Sequence, residues 1–85
     1  MSDIKETCER LTDLLMSKND AYGNSALEPM NVFSNGSAVD NLCARIDDKL
    51  KRIKNRGLND ATEDTLFDLC GYLVLLIIAR DNEKK

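Results

Sequence analysis

A chain of 85 residues and 9.5 kDa has room for one domain with one small core, and folding at this size covers little more than half of the unfolded chain's surface. With 42% hydrophobic and 32% charged residues, 5% aromatics and no Trp, the composition is helical and aliphatic, which excludes a disordered tail or a disulfide scaffold. The absence of His excludes Ser-His and Cys-His catalysis, His-bearing zinc sites and an imidazole switch, and the net charge of -3 argues against a nucleic-acid partner.

The first predicted helix covers residues 3–17. Ile4, Cys8, Leu11, Leu14 and Leu15 stand at helical spacing, with Ser2 or Asp3 as the cap. Residues 18–37 follow as a long loop rich in Asn and Ser, with Gly23, Pro29 and Gly36 as turn points. So long a loop in so small a domain is either a misreading of the pattern or a functional segment. Its apolar residues, Tyr22, Leu27, Met30, Val32 and Phe33, predict a folded lid that packs down on the helices.

A second helix is predicted over residues 38–56, opened by the capping-box pattern Ser37-x-x-Asp40 and closed by Gly57. The third is predicted over residues 60–82, opening at Asn59 or Asp60 with Asp60-x-x-Glu63 as its box. No useful period-2 alternation occurs, so the expected fold is all-α, three helices with a folded loop between the first two. The longest apolar run, residues 69–79, is too short to span a bilayer. The charged N-terminus MSDIKETCER carries no apolar export signal. Cys8, Cys43 and Cys70 are widely spaced without a C-x-x-C pattern, and are expected as reduced core thiols of a cytoplasmic protein.

On the second helix Val39, Leu42, Ile46, Leu50 and Ile53 share the expected core face, and Arg45, Lys49, Arg52 and Arg56 line its edge. Cations at the rim of an apolar groove hold phosphates by charge-assisted bonds, Arg in bidentate fashion. The plainer alternative is a solvated edge, with Asp48 bridging Arg45 and Arg52.

The third helix is apolar nearly all round. Leu66, Leu69, Cys70, Leu73, Leu76 and Ile77 form one face and Phe67, Gly71, Val74 and Ile78 another. Such a helix is buried all round, and two other helices cannot cover it, so a homo-oligomer is expected. Gly71 in mid-helix costs about 1 kcal/mol against Ala and predicts the close approach of another backbone. Asp68, flanked by Leu66, Phe67, Leu69 and Cys70, needs a partner. Three remain open: Arg45 or Lys49, a divalent ion shared with Asp64 or Glu63, or the hydroxyl of a ligand such as a ribose. Tyr22 beside Gly23 is either a platform for a base or a plain core tyrosine.

Three segments, Lys18-Asn19-Asp20-Ala21-Tyr22-Gly23-Asn24-Ser25, Arg45-Ile46-Asp47-Asp48-Lys49-Leu50-Lys51-Arg52-Ile53 and Glu63-Asp64-Thr65-Leu66-Phe67-Asp68-Leu69-Cys70-Gly71-Tyr72-Leu73, resemble small phage proteins of the nucleotide modification associated domain 1 family. That family is distantly similar to MazG-like all-α nucleotide pyrophosphohydrolases. The resemblance covers residues 18–79 and implies nucleotide binding in a helical oligomer, in the cytoplasm of an infected host cell, with Mg²⁺ as the one cofactor. The candidate ligand-binding residues are Lys18, Tyr22, Arg45, Lys49 and Arg52, and the candidate metal ligands Asp48, Asp64 and Asp68.

MazG-like enzymes carry E-x-x-E on one helix and E-x-x-D on the next, four carboxylates that hold magnesium on a triphosphate. Here the second helix has adjacent Asp47 and Asp48, which point about 100° apart and cannot chelate together in a regular helix. The leading expectation is therefore a non-catalytic oligomer that binds and sequesters a nucleotide-derived ligand. By analogy of build with phage sponge proteins, the ligand is a cyclic nucleotide or an ADP-ribose-type immune signal. The alternative is a Mg²⁺-dependent nucleotide pyrophosphohydrolase, and the third reading a structural or regulatory oligomer.

Overall fold

The computed structural model describes residues 3–22, 24, 26–27 and 36–83, Tyr22 through its backbone alone. Three helices follow one another, α1 (Ile4–Tyr22), α2 (Ala38–Arg56) and α3 (Thr65–Glu83). There is no strand among the described residues, so the architecture is all-α as the sequence predicts. Among the described residues no helix is long and apolar enough to cross a membrane.

Helix α1 starts where expected: Asp3 Oδ1 accepts the Glu6 N–H at 2.8 Å and the Asp3 carbonyl accepts the Thr7 N–H at 3.0 Å. It runs five residues past the predicted end, because Lys18, Asn19, Asp20 and Ala21 cost a helix only tenths of a kcal/mol each and its last turns are tied to α3. The end comes at Asn24, whose φ of 62° lies in the left-handed region that Asn tolerates. Its N–H reaches the Asn19 carbonyl at 3.1 Å, and its carbonyl accepts the Leu27 N–H at 3.1 Å. Residues 18–22 of the expected loop are therefore helix. Met30, Val32 and Phe33, on which the lid expectation rests, lie outside the described residues.

Helix α2 has the predicted limits. Ser37 is extended (φ -77°, ψ 167°) and its Oγ accepts the Asp40 N–H at 3.1 Å. At the other end Gly57, φ 75°, donates its N–H to the Ile53 carbonyl at 2.8 Å. The positive φ is one an L side chain rarely adopts, which makes this glycine a stop signal.

Helix α3 begins five residues after Asp60. Its cap is Asp64, whose Oδ1 accepts the Phe67 N–H at 3.2 Å while its carbonyl accepts the Asp68 N–H at 3.0 Å. Asp60 turns inward instead. Its carboxylate takes the Thr62 N–H at 2.9 Å and the Thr62 hydroxyl at 2.6 Å, and only 2% of its side chain is exposed. A local aspartate turn wins over the cap because the same carboxylate also anchors Arg52 of α2.

Helix α3 is the centre of the fold, with α2 packed along it and α1 packed on it more sparsely. Among the described residues, Leu42 and Ala79 are the hydrophobic ones buried almost completely. The cover is thinner than the apolar pattern predicts. Leu50 of the expected core stripe is 51% exposed and Ile4 of α1 is 85% exposed. Cys8, Cys43 and Cys70 are free but exposed rather than core, because they stand on outer faces of helices whose inner faces meet α3 or its neighbours. Gly71 is buried, yet its close neighbour is a side chain and not a backbone: a Cβ built there would stand 2.7 Å from Leu15 Cδ2.

Candidate functional site: a cationic, aromatic cleft beside an ion-pair ladder

The chain turns at Gly57, so α2 and α3 run antiparallel and the basic edge of α2 meets the acids that follow it. Arg52 Nε lies 2.6 Å from Asp60 Oδ2 and 2.8 Å from Glu63 Oε1, and its Nη2 donates to Thr62 Oγ1. Arg56 reaches Asp60 at 4.0 Å. One turn up α2, Lys49 Nζ donates to both oxygens of Glu63, at 2.8 and 3.0 Å, and to Asp68 Oδ2 at 3.4 Å. The other oxygen of Asp68 accepts Lys18 Nζ of α1 at 2.8 Å.

The cations and acids of this ladder hold one another ionised. The Thr62 hydroxyl, then the Arg52 guanidinium and the Thr62 N–H, hold the Asp60 carboxyl well below the usual carboxylate range. Burial alone raises the Asp68 carboxyl, but the hydrogen bonds and charges of Lys18 and Lys49 outweigh it, and the net shift is downward. Lys49 is the mirror case: burial lowers it, and Glu63 and Asp68 raise it further than that. Arg52 is raised by its hydrogen bond to Asp60.

Arg45, the remaining cation of the row, meets no acid of this ladder. Its guanidinium lies over the Tyr72 ring, 5.8 Å from the centroid. It borders a cleft of about 310 Å³ between α1, α2 and α3. Leu14, Leu15, Gly71 and Leu75 give the cleft an apolar floor, Phe67 and Tyr72 supply aromatic walls, and Lys18, Asn19, Arg45 and Asp68 are its polar groups. Arg10 lies over the Phe67 ring, 4.9 Å from its centroid. An apolar cavity with a few converging polar groups is the usual form of a small-ligand site, and its size sits near the lower end of the range, roughly 300–1,000 Å³.

The structure thus divides the expected ligand-binding residues. Lys18 and Arg45 border the cleft, Lys18 while paired with Asp68, whereas Lys49 and Arg52 point into the ladder and are neutralised there. The Tyr22 side chain lies outside the described residues. The alternative in which Asp48 bridges Arg45 and Arg52 does not describe Arg52, which is held by Asp60, Glu63 and Thr62; Asp48 is exposed on α2.

Of the metal-ligand candidates, Asp64 caps α3 and both oxygens of Asp68 face ammonium groups. Among the described residues no group of three or more Cys, Asp or Glu side chains could hold a metal ion. Asp64 and Asp68 are thus already engaged, and the described residues offer Mg²⁺ no cage of protein oxygens of their own.

Sequence reasoning missed Phe67 and Asn19 as cleft residues, and Asp60 and Glu63 as the partners that consume the basic row. The available signal was the run of acids just after a helix-ending glycine, which an antiparallel hairpin folds back onto the cations before it. Comparison with protein-family models, with curated proteins and with solved structures returned no match.

Proposed function

We propose that this chain, as an oligomer of identical copies, binds a nucleotide-derived ligand in the cleft between its three helices and sequesters it without chemical change. The observation that carries the reading is the meeting of Lys18, Arg45, Phe67, Asp68 and Tyr72 around one apolar cavity. A nucleotide asks for these groups together. Its base stacks on an aromatic face, its phosphate takes an ammonium and a guanidinium, and its sugar hydroxyl is a donor for a carboxylate such as Asp68 or for the Asn19 amide oxygen.

Support against the pyrophosphohydrolase alternative comes from the carboxylates. Asp64 is engaged in a helix cap and Asp68 in two ion pairs, and the described residues form no carboxylate cluster for a metal-bound triphosphate. The resemblance to the nucleotide modification associated domain 1 family belongs to this proposal, as do a phage origin, the host cytoplasm and a cyclic-nucleotide or ADP-ribose-type ligand.

The test is calorimetric titration of the native chain with nucleoside triphosphates, cyclic dinucleotides and cyclic ADP-ribose isomers, with and without Mg²⁺. Heat denaturation then releases whatever is bound for identification. At least one member of the panel is expected to bind and to return intact. Arg45→Ala is expected to weaken it about tenfold or more, as loss of a charge-assisted phosphate contact does, and Arg52→Ala to leave it nearly unchanged. A ligand that returns cleaved only in the presence of Mg²⁺ would establish the enzyme instead, and a panel with no binder would overturn the nucleotide reading.

A further inference from the structure

We propose that the outer face of α3 is the surface through which two copies of this chain associate, their helices antiparallel about a two-fold axis between Cys70 and Leu73. This rests on the oligomeric part of the reading above and is independent of the ligand.

Leu66, Cys70, Leu73 and Ile77 recur at i, i+4, i+7 and i+11 and form one stripe about 16 Å long. All four are exposed, Leu66 by 47%, Leu73 by 44% and Ile77 by 62%. The opposite side of the helix carries Gly71, Leu75 and Ala79, which face the cleft or the interior. Helix α3 therefore spends one apolar face on its own chain and leaves the other to water.

The protomer as a whole is under-covered for its size. The accessible surface is 6576 Å², whereas a compact monomer of 9.5 kDa exposes roughly 5,000 Å². The radius of gyration, 13.8 Å, likewise exceeds the roughly 12 Å of a compact chain this long. The surplus, roughly 1,500 Å² over the whole chain, marks a protomer that leaves much apolar surface uncovered, and the α3 stripe is one continuous uncharged row of it. A second copy is the occupant that brings an equally long, equally uncharged stripe, as an isologous contact requires.

Orientation follows from charge. Antiparallel pairing sets Leu66 of one copy against Ile77 of the other and Cys70 against Leu73. It brings Arg80 of each helix to the exposed Asp64 at the start of the other, and it opposes the two macrodipoles. Parallel pairing would stack Arg80 on Arg80.

Sedimentation equilibrium of the full chain at micromolar concentration is expected to give a dimer or a multiple of one, and Leu73→Asp to weaken association at least tenfold with the helical circular dichroism retained. A second measurement leaves the stripe intact. In a Cys8→Ser, Cys43→Ser chain a short bis-maleimide is expected to join Cys70 of two copies into a covalent dimer. A single copy at every concentration would overturn this interface together with the oligomeric reading. An oligomer that survives Leu73→Asp and yields no Cys70 cross-link would overturn this face alone.

Discussion

Lys18 and Asp68 close the fold across 50 residues of chain, with Nζ and Oδ1 2.8 Å apart. The pair joins the last turns of α1 to the first turn of α3, where few other contacts hold α1 down. The two partners are unequal, since the Lys18 side chain is 49% exposed and that of Asp68 13%. Lys18→Ala is accordingly expected to cost less than about 1 kcal/mol, as exposed partners do. Asp68→Ala strips Lys49 of one counter-charge as well and is expected to cost about 1–3 kcal/mol. Urea denaturation of both variants and of the double variant would measure the difference. Equal losses would mean that the asymmetry of burial has no energetic weight.

Acid should weaken the protein earlier than base. The carboxyls of Asp60 and Asp68 lie lower in the folded chain than their ordinary value, near 3.9 when unfolded. Their contribution is thus complete above about pH 5 and drains away as pH falls through the folded-state values. Lys49, raised in the folded chain, contributes fully below its ordinary value of about 10.4 and loses that contribution only as pH climbs past its folded-state value. Urea midpoints are expected to be nearly level between about pH 5 and 8 and to drop steeply below about pH 4. A level midpoint down to pH 3 would show that the ladder does not stabilise the fold.

Gly71→Ala separates cleft shape from helix stability. The new methyl group would stand 2.7 Å from Leu15 Cδ2, the free end of a side chain that can rotate, and Leu15 and Gly71 both border the cleft. Removing a mid-helix glycine gains about 1 kcal/mol against a repacking cost of similar size. The melting temperature is therefore expected to move by only a few degrees while ligand affinity falls several-fold. Unchanged affinity would mean that the ligand does not use the floor of the cleft.

Thr65 is 3% exposed, and its Oγ1 is buried without a hydrogen-bond partner among the described residues. An orphaned hydroxyl costs more than the matching methyl group. Thr65→Val is expected to raise stability by up to about 1 kcal/mol, read as a higher urea midpoint. A loss instead would show that the hydroxyl has a partner, such as a bound water.

The sequence reveals an element wherever the signal is local. Ser37 and Gly57 mark both ends of α2 because a cap and a left-handed glycine act on their own neighbours. Asp60 misleads for the opposite reason: its carboxylate has three suitors, and the winner, Arg52 with Thr62, appears only once α3 folds back on α2. The basic row is legible as a geometric fact of one helix, but which of its members stay open to a ligand depends on hairpin register. That register gives Lys49 and Arg52 to Glu63 and Asp60 and leaves Arg45 to Tyr72. Gly71 announces a close approach by its cost alone, while the identity of the neighbour, Leu15, depends on where α1 crosses.

Leu42 is the large side chain that the described fold encloses completely. With so little hydrocarbon fully enclosed, the heat-capacity increment of unfolding is expected to fall below that of a compact chain of equal length. The stability curve of the isolated protomer is then shallow and broad, with no steep loss on chilling, and its calorimetric peak is low and wide.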